Sequence, residues 1–337
     1  MTYVLAGDFG GTSSRLALFE IAAGEMARLH EHASYAAREV EGVADAVERF
    51  LAEQGAPKVA AACFGVAGAV DDNRAHLTNL GWDVDGGALA KRFGFKVELV
   101  NDLVATALGM GALSDDDVID LNPHAEREEG GNGVLLGAGT GLGVAMLVRS
   151  VQPGKGFRPV PSEGGHAEWA ARDEEEWALR EFLAPRCGGR VSVERVVSGM
   201  GLRNLYDFLL ARGELAPTPS VAADLEAGED AGKTIAEAGL AKSCAICERV
   251  LDLFASAFGA FAGDLALVGG ARGGVYLGGG VSVRLADKLV DGTFLRAFLA
   301  KGRLSPFVEK VPVRILTRPD TAIWGAAQRA GELANYG

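Results

Sequence analysis

Apolar residues follow two different spacings along the first third of the chain, and these spacings predict strands and helices in turn. Short apolar runs that are typical of buried strands occur in YVLAG, RLALFEI, KVAAACFGVAG and KVELVND. Helical spacing of apolar residues is found in VEGVADAVERFLAEQ, GGALAKRFG and LVATALGMGAL. Strands that alternate with helices in this way predict an α/β sheet.

The same alternation restarts in the second part of the chain. New strands are predicted in VLLGAG and TGLGVAMLVRS, and the sequence becomes rich in helix from about residue 173. Asp173 and Glu176 have the spacing of a capping box for the helix EEWALREFLA. A long helical stretch from about 232 to 268, the strands VYLGGG and VPVRIL, and a last helix from about Thr321 complete the prediction.

Two segments share one layout of strand, turn and strand. VLAGDFGGTSSRLALFE and VLLGAGTGLGVAMLVRS each join two apolar strands through a turn of small residues that contains threonine. A glycine turn exposes several backbone N–H groups in one concave patch, which suits phosphate oxygens. One such turn alone is better explained as an ordinary β-hairpin. Two in one chain favour phosphate binding, and Asp8, at the end of the first strand, is placed to hold a magnesium ion.

Two other phosphate-binding patterns are excluded by their context. The segment AGEDAGKT resembles a relaxed P-loop, but the polar, helix-like PSVAADLEAGED stands where a P-loop needs a buried strand. We therefore interpret Gly232, Lys233 and Thr234 as the entry to a helix. The glycines of 137 to 143 are out of register with a dinucleotide-binding fingerprint, and a strand-like VAMLV follows them instead of a helix. This pattern argues against an oxidoreductase.

Length and composition narrow the class of protein. The chain has 337 residues, of which 48% are hydrophobic, and this is enough for two domains that each bury a core. The formal net charge of -12 disfavours a broad basic face for nucleic acid or anionic lipid. The sequence shows neither a leader pattern nor a long uninterrupted apolar window, so we expect a cytoplasmic protein without a membrane span.

The four cysteines indicate neither a disulfide framework nor a zinc site. They are few and irregularly spaced, at positions 63, 187, 244 and 247. Cys244 and Cys247 have no second ligand pair at a comparable spacing, as a zinc site would need. The periodicity around them predicts one continuous helix with both thiols on one face, which also differs from the strand-to-helix turn of a redox motif.

The pair Asn101 and Asp102 lies between the strand KVELV and a helix. The spacing leaves two interpretations of Asp102 equal: a cap of the helix N-terminus, or a general base that accepts a proton from a reacting hydroxyl. The two roles are compatible, because the helix dipole favours the ionised carboxylate.

Six motifs, in order, resemble those of the bacterial glucokinases, in the hexokinase branch of the actin, Hsp70 and sugar-kinase superfamily. DFGGTSSRLAL and GAGTGLGVA resemble the two phosphate loops, and LVNDLVATA resembles the sugar and catalytic segment. PSEGGHAEWA and VERVVSGMGLRNLY resemble further sugar segments, and GGVYLGGGV the adenosine segment. Their order and spacing cover the chain from about residue 3 to residue 330, which makes the resemblance specific.

The resemblance implies a two-lobed, actin-like ATPase (ribonuclease H-like) α/β fold. Each lobe is expected to carry a mixed five-stranded sheet flanked by helices, with the active site in the cleft between the lobes. The expected small domain comprises residues 1–105 and 319–337, so that the last helix returns to the N-terminal lobe. The expected large domain comprises residues 106–318, and the family also suggests a homodimer.

The implied reaction is the phosphorylation of D-glucose on its 6-hydroxyl by ATP with Mg2+, without a nucleic-acid or membrane partner. Asp102 matches the catalytic base of the family. The residues expected to hold sugar hydroxyls are Asn101, Glu163, His166 and Glu194. The residues expected to contact ATP are Gly10, Gly11, Thr12, Gly139, Thr140, Gly141, Gly278, Gly279 and Gly280, with Asp8 holding Mg2+ through water. A side chain at Gly279 is expected to push into the ribose or base.

Without the motifs, ordinary structural or solvent-exposed roles would be preferred for these charged residues. His166 alone would be a structural histidine, and Glu163 and Glu194 solvated acids. Glu168 and the acids of 173 to 176 keep the solvated interpretation. The first loop departs from the family at Ser13, where glucokinases usually carry asparagine. The cysteine-rich zinc segment of the related ROK proteins is absent, so His166 is not expected to bind zinc.

Other activities on the same scaffold remain open at this point. One alternative is a kinase for fructose, mannose or an N-acetylhexosamine, which would keep both phosphate loops. A second is a non-catalytic sugar sensor. A third is an actin-like filament protein. Such a protein would share the nucleotide loops but would not need Asn101, Asp102, Glu163 and His166 together.

Overall fold

The computed structural model describes residues 2–11, 13–20, 28–77, 79–126, 128–150 and 156–335. The chain divides into two compact units. Unit 1 comprises Met1–Asp115, Gly156–Pro161 and Arg318–Gly337, and unit 2 comprises Asp116–Lys155 and Ser162–Thr317. The predicted domain bounds, 1–105 with 319–337 and 106–318, stay a prediction.

Strands and helices alternate along both units. The strands are β1 (Tyr3–Phe9), β2 (Ser13–Glu20), β3 (Arg28–Ala36), β4 (Val59–Val66), β5 (Val70–Asp71), β6 (Arg74–Leu77), β7 (Trp82–Asp85), β8 (Lys96–Asn101), β9 (Val118–Asp120), β10 (Gly133–Ala138), β11 (Leu142–Arg149), β12 (Phe157–Ser162), β13 (Gly274–Gly278) and β14 (Val313–Leu316). The helices are α1 (Val43–Glu53), α2 (Gly86–Phe93), α3 (Asp102–Gly109), α4 (Glu174–Leu183), α5 (Gly199–Arg212), α6 (Pro219–Glu226), α7 (Ala231–Leu240), α8 (Ala245–Gly269), α9 (Gly280–Arg284), α10 (Ala286–Leu289), α11 (Thr293–Leu299), α12 (Ser305–Val308) and α13 (Thr321–Asn335). The predicted α/β class is confirmed.

The main sheet of unit 1 has the order β3-β2-β1-β4-β8, and a small sheet has the order β5-β6-β7. β1 pairs antiparallel with β2 and parallel with β4, which in turn pairs parallel with β8. Apolar side chains of α1 and α2 pack against this unit's first core, and those of α13 pack against β1, β2 and β4 in a second. Cover on both faces explains the nearly continuous apolar sequences of β1 and β4. The last helix thus joins the N-terminal sheet, as expected.

The second sheet has the order β12-β11-β10-β13-β14-β9. β10 pairs antiparallel with β11 and parallel with β13, and β13 pairs parallel with β14. The expectation of five strands is wrong here, because β9 adds an antiparallel edge to β14. β9 has three residues, too few for a period-2 pattern to be recognised in the sequence.

The two segments with a shared layout form the same local structure. In each, an antiparallel hairpin has its first strand paired in parallel with a later strand: β1–β2 with β4, and β10–β11 with β13. The hairpins close at the pairs Phe9 with Ser14 and Ala138 with Leu142. The prediction of two similar hairpins is confirmed.

Three local predictions in unit 2 have mixed outcomes. The interpretation of 232–234 as helix entry is confirmed, because these residues lie in α7, which follows α6 and is capped by Asp230. The prediction of one helix from 232 to 268 is wrong: the chain turns at Lys242, whose φ is 52°, and a new helix, α8, begins after Cys244. Cys244 therefore lies at the N-cap of α8 and not within a continuous helix.

Only half of the predicted capping box at α4 forms. The Asp173 side chain accepts a hydrogen bond from the Glu176 N–H at 2.8 Å, as a cap should. Glu176 does not reach back to Asp173, because its carboxylate accepts from the Arg172 N–H at 2.8 Å and pairs with the Arg172 guanidinium. The interpretation of Glu176 as a solvated acid is also wrong, since the residue is 3% exposed.

Helix α8 has 25 residues and is long and apolar enough to cross a membrane by length and composition alone. Within the described part of the chain it is the one helix of this kind. The unit itself buries 78% of the helix's most apolar window, and α8 packs against α5, α7 and α11. Most of the side chains of α8 are buried in the core of unit 2, and exposed positions such as Ala245, Asp264 and Val268 lie towards its ends.

The Ser14 hydroxyl is a buried polar group without a partner. Ser14 lies on β2, opposite Phe9 on one side and Tyr35 on the other, and its Oγ makes no hydrogen bond with any described residue. Burying an unpaired hydroxyl costs about 1 to 3 kcal/mol. We therefore expect Ser14→Ala to raise the free energy of unfolding by about 1 kcal/mol, as measured by urea denaturation.

Ser282→Ala is the matched control for this substitution. Ser282 is also fully buried, but its Oγ donates to the carbonyl of Gly278 at 2.7 Å. Its removal is expected to lower the free energy of unfolding by about 1 kcal/mol, because a made hydrogen bond is lost. Similar destabilisation by both substitutions would mean that the Ser14 hydroxyl has a partner.

Candidate active site

Asp8, Asn101 and Asp102 lie together at one edge of the unit 1 sheet. β1 and β8 both pair in parallel with β4, so their carboxyl ends meet at the same edge. The register places Asp8 beside Gly65 on β4 and Asn101 beside Val66. The strand ends that the sequence singled out are therefore neighbours in the fold.

The helix cap at this edge is Asn101 and not Asp102. Asn101 is the N-cap of α3, and its Oδ1 accepts from the N–H groups of Leu103 at 3.0 Å and Val104 at 3.4 Å. Its Nδ2 donates to the carbonyl of Gly68 at 3.1 Å. Asp102 is the first helical residue, and its Oδ1 accepts from the Leu103 N–H at 2.9 Å. Since Asn101 performs the capping, one oxygen of Asp102 stays open to another partner.

Burial and a second carboxylate make Asp102 more basic than an ordinary aspartate. Burial is the larger cause and the negative charge of Asp8 the second, and together they raise the pKa of Asp102 from 3.8 to about 6, against hydrogen bonds that lower it. The helix dipole was expected to favour the ionised form of Asp102, but burial and the Asp8 charge outweigh this effect. A carboxylate with a pKa of about 6 is still ionised at neutral pH and accepts a proton more readily than a solvated one.

Arg15 lies across the hairpin from Asp8, in the directly opposite register position on β2. Its Nη1 donates to the carbonyl of Pro319 at 2.8 Å and lies 3.9 Å from Oδ2 of Asp8. Burial raises the pKa of Asp8, and the Arg15 charge lowers it. Arg15 was not among the predicted site residues, although it follows Asp8 by seven positions around a four-residue turn, which was a usable signal.

The turn between β1 and β2 exposes its glycines. Gly10 donates its N–H to the carbonyl of Ser13 at 3.0 Å, and Gly11 is exposed. Thr12, the third residue expected in this loop, lies outside the described residues. Gly11 therefore lies at the surface of this turn, whereas the Gly10 N–H is used within it.

The turn between β10 and β11 is braced from within unit 2. The Gly139 N–H donates to the carbonyl of Gly141 at 2.9 Å, and the Gly139 carbonyl accepts from the N–H of Gly199 at 2.8 Å. Thr140, at the tip, is exposed. Oε2 of Glu194 accepts from the Leu142 N–H at 3.0 Å, directly after the turn. Gly141 lies beside it, and a Cβ there would overlap Oε2 of Glu194 unless that side chain moved.

Glu163, His166 and Glu194 form one cluster in unit 2. Nε2 of His166 lies 3.9 Å from Oε2 of Glu163, and Nδ1 lies 3.9 Å from Oε1 of Glu194. These distances exceed a direct hydrogen bond, so the two ring nitrogens of His166 do not pair directly with Oε2 of Glu163 or Oε1 of Glu194. The Glu194 side chain is 17% exposed and Glu163 77%. Of the two solvated interpretations, that of Glu194 is wrong.

A short ladder joins the segments that carry His166 and Glu194. The Trp169 N–H donates to the carbonyl of Val191 at 2.9 Å, and the Val193 N–H donates to that of Ala167 at 3.0 Å. Glu168 lies inside this ladder and pairs with Arg180 and Arg190, at 2.9 and 3.1 Å. Glu168 is 47% exposed, which agrees with its interpretation as a solvated acid, and it adds two ion pairs that the sequence did not predict.

Gly278, Gly279 and Gly280 form the strand-to-helix turn between β13 and α9, as the motif predicts. Gly279 has a φ of 86°, which side chains rarely adopt, and a Cβ there would overlap the carbonyl oxygen of Ala138. A side chain at 279 thus meets the neighbouring strand β10 of the protein itself. The expectation that ribose or base would be the first obstacle is replaced by this finding.

Comparison with known proteins finds one family along the whole chain. The model of the Glucokinase family matches residues 5–333. The glucokinase of Nostoc punctiforme is 36% identical over 345 residues, which cover 99% of this chain and 100% of that protein.

Solved structures agree with this result. The crystal structure of a glucokinase from an Antarctic psychrotroph has a TM-score of 0.80 and 29% identity, with 98% of this chain and 99% of that chain covered. A ROK family glucokinase from Streptomyces griseus, in complex with glucose and AMPPNP, has a TM-score of 0.64 and 23% identity, with 98% and 99% covered. The likeness to the second structure shows the fold, that of a two-lobed sugar kinase.

Proposed function

Since the chain belongs to the glucokinase family, we propose that Asp102 is the general base with which it phosphorylates glucose from ATP. The family match and the full-length relatives support ATP-dependent glucose phosphorylation as the activity. They do not favour a kinase for another hexose or a non-catalytic sensor. The observation that supports this role is the Asp102 carboxylate at the start of α3, which has a raised pKa and one oxygen free of the Leu103 hydrogen bond.

The proposed reaction needs alignment, charge neutralisation and one proton acceptor. The 6-hydroxyl of glucose gives its proton to Asp102 as its oxygen bonds to the γ-phosphorus of ATP. The bond from that phosphorus to the β,γ-bridging oxygen breaks, and ADP leaves with the electron pair. Because Oδ1 of Asp102 accepts from the Leu103 N–H, the other oxygen, Oδ2, is assigned as the proton acceptor.

Sugar binding is assigned to Asn101, Glu163, His166 and Glu194. Each sugar hydroxyl both donates and accepts, so carboxylates, an amide and an imidazole can satisfy it where an apolar pocket cannot. Asn101 uses Oδ1 for the α3 cap and one N–H for the Gly68 carbonyl. It therefore offers the sugar one amide N–H. An epimer that leaves one of these groups unpaired is expected to bind about 5 to 100 times more weakly.

Nucleotide binding is assigned to the three glycine turns. Gly10, Gly11 and Thr12 are proposed for the γ-phosphate, and Gly139, Thr140 and Gly141 for the β-phosphate. Gly278, Gly279 and Gly280 are proposed to lie under the adenosine. The exposed positions of Gly11 and Thr140 in the two hairpin turns support the phosphate assignments, while the N–H groups of Gly10 and Gly139 are used within the turns.

Asp8 is the residue proposed to hold Mg2+, through water. Its chemistry fits, because a buried carboxylate with a raised pKa beside a second carboxylate is stabilised by a cation, and magnesium prefers carboxylate and phosphate oxygens. When bound, the ion would neutralise charge on the phosphates of ATP. No group of three or more metal-ligating side chains occurs among the described residues, which suits a metal that is held mainly by nucleotide and water.

The proposal is tested by steady-state kinetics on a panel of hexoses, with ATP and magnesium varied independently. Glucose is expected to have the highest kcat/KM, and activity is expected to require magnesium. A higher kcat/KM for fructose, mannose or N-acetylglucosamine would transfer the proposal to that sugar. The further proposals of a cytoplasmic location and a homodimer are tested by cell fractionation and by light scattering on the purified protein.

Gly141→Ala is expected to weaken glucose binding without unfolding the protein. The added Cβ must displace the Glu194 carboxylate, which breaks its hydrogen bond from the Leu142 N–H and moves it away from His166. The loss of such a charge-assisted bond is expected to raise the KM for glucose about tenfold. The control is Gly139→Ala in the same turn, where a Cβ would meet no atom within 4 Å and the KM for glucose should not change. An unchanged KM in both variants would remove Glu194 from the sugar site.

A further inference from the structure

We propose that Arg190 is a positioning residue that fixes the backbone of His166 and thereby the sugar-binding geometry of the imidazole. The inference rests on the proposed role of His166 as a sugar ligand. Arg190 lies in none of the six motifs that carry the resemblance.

The Arg190 guanidinium contacts two groups within the sugar motif PSEGGHAEWA. Its Nη2 donates to the carbonyl oxygen of His166 at 2.6 Å, and its Nε lies 3.1 Å from Oε2 of Glu168. Oε1 of Glu168 accepts from Nη2 of Arg180 on α4 at 2.9 Å. The planar fork of arginine satisfies both partners at once, and the single ammonium of lysine has no such fixed geometry.

The His166 carbonyl belongs to a position that needs an outside donor. His166 is the last residue of the 3-10 turn Gly164–His166, and the carbonyls at the end of a helical turn have no partner within it. An arginine that donates to such a carbonyl both pairs it and complements the partial negative charge there. The peptide that follows the imidazole is thereby held in one orientation.

The hydrogen bond from Arg190 to the His166 carbonyl also helps to set the distance between His166 and Glu194. The ladder between 167–169 and 191–193 holds the two segments antiparallel, with Arg190 beyond one end and Glu194 beyond the other. The Arg190 side chain extends along the ladder past Glu168 to His166. It therefore connects residue 190, before the second segment, with residue 166, before the first. His166 and Glu194 then meet at the opposite end, with Nδ1 3.9 Å from Oε1.

Exposure separates this role from a contribution to folding. The side chains of Arg190 and Glu168 are 57% and 47% exposed, and ion pairs at such exposure contribute little to stability. Loss of Arg190 should therefore leave unfolding nearly unchanged while it alters the position of His166. A group that merely held the fold together would change both.

The test is Arg190→Met, which keeps the length of the side chain and removes its donors. The KM for glucose is expected to rise about fivefold, with kcat, the KM for ATP and the unfolding temperature unchanged. Arg190→Lys, which can contact one of the two partners, should raise the KM for glucose less than Arg190→Met does. Glu168→Gln should also raise it less, because the hydrogen bond from Arg190 to the His166 carbonyl is kept. The control is Arg74→Met in unit 1, which removes an exposed pair with Asp85 of 3.1 Å outside the six motifs and should leave all four quantities unchanged.

Three outcomes would overturn the inference. They are an unchanged KM for glucose in Arg190→Met, an equal rise in the KM for ATP, and a fall in unfolding temperature shared with the rise in KM. If Arg190→Met does not fold, Arg190→Lys and Glu168→Gln decide by the same measurements, together with direct titration of glucose by calorimetry. A parent enzyme that does not phosphorylate glucose would instead reject the proposed function, whatever the variants do.

Discussion

Asp102→Asn is expected to lower kcat for glucose phosphorylation at least about 100-fold while the protein still folds and binds glucose. General-base catalysis contributes roughly 100- to 10,000-fold, and the amide cannot accept the proton. Asparagine keeps the shape of the side chain and the acceptor for the Leu103 N–H, so the α3 terminus should be preserved. The measurements are steady-state kinetics and calorimetric titration of glucose.

The same variant is expected to be more stable than the parent at neutral pH. The folded protein raises the pKa of Asp102 from 3.8 to about 6, so the ionised carboxylate is less favourable in the fold than in the unfolded chain. The stability that protonated Asp102 contributes is fully present below about pH 3.8 and is lost as the pH rises through about 6. The advantage of Asp102→Asn should therefore grow between these values and reach up to about 3 kcal/mol at pH 7.

Asp224→Asn is the control for a change of charge alone. Asp224 is exposed on α6 in unit 2, so its substitution should leave kcat for glucose unchanged. Residual activity of Asp102→Asn above about one hundredth of the parent would count against a general base at this position. A less stable Asp102→Asn protein would contradict the account of its burial.

Gly325→Ala is expected to lower the free energy of unfolding by about 3 kcal/mol or more. Helices α3 and α13 cross at backbone distance: a Cβ on Gly325 would overlap the carbonyl of Ala105, and one on Gly109 would overlap that of Thr321. Backbone atoms on a packed helix cannot turn aside as a side chain can, so the helices must separate. Urea denaturation measures the effect, and the activity at low temperature should fall as well, because α3 begins at Asp102.

Gly331→Ala, on the same helix α13, is the matched control. A Cβ at this position would meet no atom within 4 Å. Alanine favours helix over glycine by up to about 1 kcal/mol, so this substitution should stabilise the protein slightly. Equal effects of the two substitutions would show that the crossing of α3 and α13 is wider than the structure has it.

The fold was predictable from sequence where one period of apolar residues covers a whole element. β1, β4, α1 and the two hairpins are of this kind, because their burial follows from local pattern alone. The break between α7 and α8 was missed, since the turn at Lys242 carries neither glycine nor proline as a signal. The site residues beside strand ends and glycine turns were found for the same local reason.

The contacts that position the site were not predictable, because each joins residues far apart in sequence. Glu194 reaches the N–H of Leu142, and Gly325 faces Ala105, across separations that no local pattern records. The two ion pairs of Glu168 were not predictable either, because its arginine partners lie 12 and 22 residues further on. Only the fold shows that these residues brace the turn of His166.

The pH dependence of kcat/KM for glucose, compared between the parent and Asp102→Asn, tests the central claim most directly. The parent is expected to lose activity as the pH falls through about 6, because protonated Asp102 cannot accept the proton of the 6-hydroxyl. The residual activity of Asp102→Asn should lack the ionisation that belongs to Asp102. The same acid limb in both proteins, or a variant with nearly full activity, would contradict the assignment of Asp102 as the base.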